Sequence, residues 1–227
     1  MLLDALRDFA ALVMPVACAG CGAEDRALCT KCRQALVPQL THHSVDSLPV
    51  VSALRYEGSV RRVVLAFKDH GRTDVAAALA SPLAAALDRA IHEHPAAQLV
   101  AIPTSRAAYR RRGYDPVRRL LIRGGFAAPR VLTRTRSTGS QKSLALADRA
   151  ENLVGALAAR RDLAGRTFIV VDDILTSGAT IREAIRAISA ARGEVVCAAV
   201  LAFTPRLLPM RDIGGGEDYG KAKGAQR

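Results

Sequence analysis

Two adjacent carboxylates, Asp172 and Asp173, end an apolar run, and a turn of small residues follows them: the stretch reads FIVVDDILTSGAT from Phe168 to Thr180. These residue types in this order suit ribose and phosphate. Thr176, Ser177, Gly178, Ala179 and Thr180 are small enough for successive backbone N–H groups to curl around an anion. A helix that starts near Thr180 would add the positive end of its dipole. A buried strand that stops at Asp172 puts both acids at its carboxyl end, where open α/β sheets bind ligands. The stretch contains neither G-x-x-x-x-G-K nor G-x-G-x-x-G, so it is not a Walker A loop or a dinucleotide fingerprint.

A second constellation lies near the start. Cys18, Cys21, Cys29 and Cys32 follow the pattern C-x2-C-x7-C-x2-C, with Gly20 and Gly22 in and beside the first knuckle. Two residues between cysteines let both sulfurs of a knuckle face one ion, and two knuckles complete a tetrahedral four-thiolate site. Four thiolates leave no open position for water, so the zinc would be structural. Its binding would supply folding energy to a segment too short for a core of its own. Disulfides and a redox pair are the alternatives. A cytosolic setting disfavours the first, and a thioredoxin-type motif comes as one pair rather than two. Cys197, inside VVCAAVLAF, reads as a buried core residue.

Basic residues cluster elsewhere. Ile102-Pro103-Thr104-Ser105-Arg106 follows an apolar segment, and Arg110, Arg111 and Arg112 precede Gly113. Guanidinium forks match phosphate oxygens in two-point contacts, although a charge run is more often a solvated face. Lys68 ends another apolar segment, LAFKDHG. The chain has 227 residues and a formal net charge of +12, which favours polyanionic ligands.

The elements that must position these groups alternate. Val50–Tyr56, Gln98–Ile102, Phe168–Val171 and Glu194–Phe203 read as strands, with a brief one possible at Arg130–Leu132. Ser59–Phe67, Asp74–Ile91 (kinked or split at Ser81-Pro82), residues 115–123, Asp148–Arg160 and Ile181–Ala191 read as helices. Such alternation argues for an α/β fold with a mostly parallel sheet flanked by helices. The expected organisation is an amphipathic helix over 1–17, a four-cysteine module over 18–40, the main domain over 48–204, and a disordered tail over 205–227. No run reaches the ~18 apolar residues of a membrane span. Asp4 and Asp8 spoil an export signal, so a cytoplasmic location is expected.

VVDDILTSGAT resembles the signature of type I phosphoribosyltransferases, which bind 5-phosphoribosyl-1-pyrophosphate (PRPP). The resemblance implies that Asp172 and Asp173 face the ribose hydroxyls and that residues 176–180 hold the 5-phosphate. It also implies that Thr104, Ser105 and Arg106 form the early pyrophosphate loop. Several further pieces occur in one order: the four-cysteine start, YEGSVRRVVLAFKDHG, the RRRGY segment, and Thr138, Gln141, Leu144, Arg149 and Asn152 in T-x-x-Q-x-x-L-x-x-x-x-R-x-x-N spacing before the acid pair. Together they resemble the ComF family of amidophosphoribosyltransferase-like competence proteins over about residues 15–203. Asp115 and Pro116 stand where that family often has Asn-Gln. The resemblance implies a PRPP- and Mg²⁺-dependent phosphoribosyltransferase associated with DNA uptake, with Lys68, Gln141 and Arg110 to Arg112 among the ligand contacts. The alternative it leaves open is a non-catalytic sensor or adaptor for a competence helicase or single-stranded DNA.

Overall fold

A computed structural model describes residues 16–24, 26–127, 129–135 and 154–205. The expected helix over 1–17 lies almost wholly outside them, as do Thr138, Gln141, Leu144, Arg149, Asn152 and nearly all of the tail.

In chain order the elements are α1 (Thr30–Gln34), β1 (Thr41–Val45), β2 (Leu48–Arg55), α2 (Gly58–Asp69), a 3₁₀ turn (Thr73–Val75), α3 (Ala76–Glu93), β3 (Gln98–Ala101), α4 (Arg106–Arg112), α5 (Pro116–Arg123), β4 (Leu132–Arg134), β5 (Leu157–Ala159), β6 (Thr167–Leu175), α6 (Ala179–Ser189) and β7 (Glu194–Phe203). The main sheet runs β1-β2-β7-β6-β3, and β4-β5 form a separate antiparallel ribbon. Within the main sheet β2, β7, β6 and β3 are parallel, and only β1 is antiparallel to its neighbour.

β6 and β7 form the buried centre because their sequences are almost continuously apolar, as strands covered on both faces must be. Alternation divides the side chains between two cores. Ile169, Val171, Ala199 and Leu201 join α2, α3 and α5 on one face. Phe168, Val170, Ala198 and Val200 join α6 and the β4–β5 ribbon on the other. Phe168 through Val171 are fully buried. A fully buried aliphatic or aromatic side chain stabilises by about 1.5–3 kcal/mol, so this one run anchors both layers.

The cysteine segment is not separate from this packing. Cys18, Leu28, Cys32 and Leu36 belong to the core beneath α2 and α3. Arg72 clamps the segment by donating from Nη1 to the Ala17 carbonyl at 2.8 Å and from Nη2 to that of Ala27 at 3.4 Å. The Arg62 guanidinium donates to the Gly20 carbonyl.

Several sequence expectations need correction. β6 does not stop at Asp172. It runs to Leu175 because β7 offers ladder partners as far as Phe203, so Asp172 pairs with Val200 and Leu175 with Phe203. The helix is not split at Ser81-Pro82: Pro82 lies inside one continuous helix, where burial of Leu79, Leu83, Ala86 and Leu87 outweighs the missing N–H. The brief strand sits at Leu132–Arg134, slightly later than expected. In the described part of 148–160, Leu157–Ala159 is a strand, not a helix, because it pairs with β4 and the Leu157 N–H is held by the Glu183 carboxylate at 2.8 Å.

The β1–β2 hairpin was not evident in the sequence. Its two-residue turn, Asp46-Ser47, has φ of 48° and 73°. Such turns match the right-handed twist of the strands they join but are usually signalled by Asn-Gly or Asp-Gly.

Candidate functional site

The parallel strands bring the acid pair and the early loop to the same edge. β3 pairs with β6 through Ala101 and Val171, and the Ile102 N–H donates to the Val171 carbonyl at 3.0 Å. The chain leaving β3 at Pro103–Ser105 therefore lies beside the chain entering the acid pair.

Strand alternation sends the two acids toward opposite faces. Asp173 turns toward α2, where its Oδ2 meets Lys68 Nζ at 2.6 Å. The pair is largely enclosed, with side-chain exposures of 25% for Lys68 and 13% for Asp173. Asp172 Oδ1 accepts from the Asp173 backbone N–H at 2.8 Å. Burial pushes the Asp172 pKa up to about 7, and the Asp173 charge pushes in the same direction. The Asp173 N–H, Lys68 and Arg134 oppose them only in part. One carboxylate of the pair thus holds its proton near neutral pH until a ligand supplies hydrogen-bond donors or positive charge.

The turn after β6 is shaped to receive an anion. Gly178 has φ of 77° and caps α6 without a side-chain hydrogen bond. A Cβ built there would lie 2.8 Å from Val45, so glycine is required both for the dihedral and for the close approach. Among the described residues, the backbone N–H groups of Ser177, Gly178, Ala179 and Thr180 have no acceptor. The unexpected hairpin supports this turn. Val45 packs under Gly178, Asp46 pairs with Arg182 at 2.7 Å, and Arg182 Nη1 donates to the Ser177 carbonyl at 2.8 Å.

The early loop is tied by a residue whose role the sequence did not disclose. Asp115 accepts from the Thr104 N–H at 3.2 Å and, as N-cap of α5, from the Arg118 N–H at 3.1 Å. Pro116 then occupies the first helical turn, where its missing N–H costs nothing. Ser105 caps α4 by accepting from the Ala108 N–H at 3.2 Å.

The arginine run therefore lies on a helix, which divides its members. Arg106 and Arg110 line a cavity of about 380 Å³ together with Thr104, Arg134 and Arg160. Arg111 and Arg112 instead reach Asp69 at 3.3 and 2.8 Å. The Tyr114 hydroxyl donates to the Phe67 carbonyl. Asp69, Phe67 and Lys68 all belong to the last turn of α2, so this latch fixes the helix end that holds Asp173. Lys68, uninformative as a lone lysine, is a direct partner of the acid pair. Sequence reasoning missed Asp46, Asp115, Arg118, Arg130, Arg134, Arg160 and Arg182. Asp115 followed by Pro116 is a helix-start signal that could have marked Asp115 as a cap; Asp46 and Arg182 needed the hairpin, and Arg134 and Arg160 the β4–β5 ribbon.

The four cysteine sulfurs lie within 4.8 Å of one another. Cys21 and Cys29 sulfurs are 3.6 Å apart, and the Cys29 N–H donates to Cys18 Sγ at 3.3 Å. Zinc–sulfur bonds of about 2.3 Å in a tetrahedron set sulfurs about 3.8 Å apart, so the cluster has the size of a four-thiolate metal site. Burial opposes ionisation of Cys18, yet N–H groups of Cys29, Gly20 and Cys21 draw its pKa down to about 6. Burial and the neighbouring sulfurs push Cys32 up to about 12. A central dication removes that conflict. Gly20 is obligatory here, because a Cβ would lie 2.5 Å from the Cys32 sulfur. Cys197 is fully buried in β7, as expected.

Residues 115–214 match the phosphoribosyl transferase domain. The match takes in the acid pair and the 176–180 turn, and the α/β fold with its mostly parallel sheet is phosphoribosyltransferase-like. Among solved structures, one adenine phosphoribosyltransferase aligns at 15% identity over 78% of this chain and 91% of its own, with a TM-score of 0.39. The adenine phosphoribosyltransferase of Leishmania tarentolae aligns at 12% identity over 57% of this chain and 73% of its own, with a TM-score of 0.30. Likeness at this level carries no argument about substrate. None of the curated proteins matches the chain. No described helix is long and apolar enough to cross a membrane.

Proposed function

We propose that the chain binds PRPP with Mg²⁺ and transfers its phosphoribosyl group to an acceptor. One observation carries this reading: at residues 177–180, just beyond the central strand that holds two enclosed carboxylates, four backbone N–H groups have no acceptor among the described residues. In this reading the 5-phosphate accepts from those amides and from the positive end of α6. The ribose hydroxyls donate to Asp172 and Asp173, and ionised Asp172 is favoured once those donors arrive. Lys68 pairs with Asp173 and orients it. Thr104, Ser105 and Arg106 receive the pyrophosphate, which leaves with the electron pair of the broken C1–O bond as the acceptor bonds to C1. Positive charge that develops on the ribose is offset by the nearby carboxylates. Magnesium bound with the pyrophosphate would offset charge on the leaving group.

The test is calorimetric titration of zinc-loaded protein with PRPP and Mg²⁺. Binding that is lost in Asp172→Asn with Asp173→Asn supports the proposal, and no heat from the wild type removes it.

The sequence resemblance to the ComF family adds a role in DNA uptake. If that role uses the sugar-phosphate site, cells carrying the double Asn variant lose transformation. Cells that still transform with it use some other surface, as the adaptor reading would have it.

A further inference from the structure

The cavity beside the early loop holds more positive charge than a departing pyrophosphate needs. Arg106, Arg110, Arg118, Arg130, Arg134 and Arg160 line it, and Asp115 is the single acid among the described lining residues. Both Asp115 oxygens are already engaged by the Thr104 and Arg118 N–H groups. Its volume of about 380 Å³ falls within the range of small-molecule pockets.

This cavity does not stand alone. Tyr109, Asp115, Arg118 and Arg130 also line a second cavity of about 490 Å³, bordered by Tyr114 and Ile122, whereas Thr104, Arg106 and Arg134 line only the first. The lining of the second mixes Tyr109, Tyr114 and Ile122, with Tyr109 49% and Ile122 59% exposed, with two further arginines, Arg119 and Arg123. Arg118 and Arg130 thus stand at the junction of a polyanion pocket and a surface suited to a flat ring. The Arg118 Nε is buried and has no hydrogen-bond partner among the described residues. A buried donor left unpaired is costly, and a guanidinium fork is best satisfied by two oxygens of one carboxylate or phosphate.

We infer that the acceptor is itself an anion: an aromatic or heterocyclic molecule whose carboxylate or phosphate sits against Arg118 and Arg130 while its ring lies on Tyr109. The word acceptor rests on the PRPP reading, whereas the anion pocket itself does not. A neutral ring would leave the two guanidiniums unmatched, so charge on the ligand is the selective feature.

The experiment titrates zinc-loaded, PRPP- and Mg²⁺-saturated protein with benzoate, phenyl phosphate and benzamide. One or both anions are expected to bind, and the tighter one identifies the preferred group. Benzamide is expected to show no binding. Arg118→Gln and Arg130→Gln should each weaken the anion tenfold or more. Arg130 is exposed, so its variant keeps the test valid should Arg118→Gln fail to fold. Three results overturn the inference: benzamide binding as tightly as benzoate, anions that displace PRPP or do not bind, or anion affinity indifferent to Arg130→Gln. If the wild type takes no PRPP, the same titration is run on free protein. Anion binding weakened by Arg130→Gln then retains the pocket and discards the PRPP reading, while indifference to that change discards both.

Discussion

Asp172→Asn separates the stability of the empty site from its use. Burial, reinforced by Asp173, lifts the Asp172 pKa from an ordinary 3.8 to about 7. Between those two values the folded state binds a proton that the unfolded state has released. Stability therefore falls as pH rises through this window and levels off above 7. At roughly 1.36 kcal/mol per pKa unit, the full difference caps the penalty at about 4 kcal/mol. Asp172 retains some exposure, so solvent screening reduces that to about 2 kcal/mol. Asparagine keeps an oxygen for the Asp173 N–H, now at 2.8 Å, but cannot ionise.

The variant should match the wild type near pH 3, where Asp172 is protonated in the folded and the unfolded chain alike, within about 1 kcal/mol. At pH 8 it should be more stable by about 2 kcal/mol, or about 4–8 °C in Tm for a domain of this size. Urea unfolding of zinc-loaded protein at the two pH values measures this, and the difference between the chains cancels any shared loss of metal at low pH. The gain should come with loss of PRPP binding. A variant that is less stable than the wild type at pH 8, or whose advantage is the same at both pH values, would refute the reasoning.

Removing the ion from the four-cysteine cluster with a chelator, or by Cys21→Ser, should abolish one bound zinc per chain and lower Tm by ~10 °C or more, since part of the main core rests on this segment. A metal assay alongside calorimetry measures both, and unchanged Tm after zinc loss would disprove a structural role. Gly178→Ala should cost about 2–4 kcal/mol from the positive φ and the contact with Val45. Adding Val45→Ala should recover about 1 kcal/mol of it by relieving the contact alone, and chemical denaturation of both chains shows whether that recovery occurs. Lys68→Met strands Asp173 beside a second acid and should cost about 1–3 kcal/mol at pH 8. A double-mutant cycle with Asp173→Asn should return coupling of about 1 kcal/mol or more, and zero coupling would mean that the 2.6 Å contact does not persist in solution.

Local chemistry determined much of this protein before any folding was considered. The apolar runs at 168–171 and 194–203, the turn that follows the acids and the spacing of four cysteines each state their business within a few residues. A buried strand, a helix start and a thiolate knuckle are short-range structures. The central strands, the glycine at 178, the helix after it and the four-cysteine cluster were therefore legible.

Tertiary structure decided which charges meet. Lys68 and Asp173 are joined only because α2 packs on the face toward which Asp173 points. Arg110 and Arg112 are two positions apart on α4, and helical geometry turns one to a cavity and the other to Asp69. Asp115 looked like a departure from a motif until its contacts showed it holding two backbone N–H groups. The Asp46-Ser47 hairpin, with no glycine to announce it, was set by pairing with β2 and supports the turn at Gly178 from a distant part of the chain. Pairings between residues far apart in sequence are fixed by sheet order and by which face each side chain takes, and neither can be read from a single local stretch.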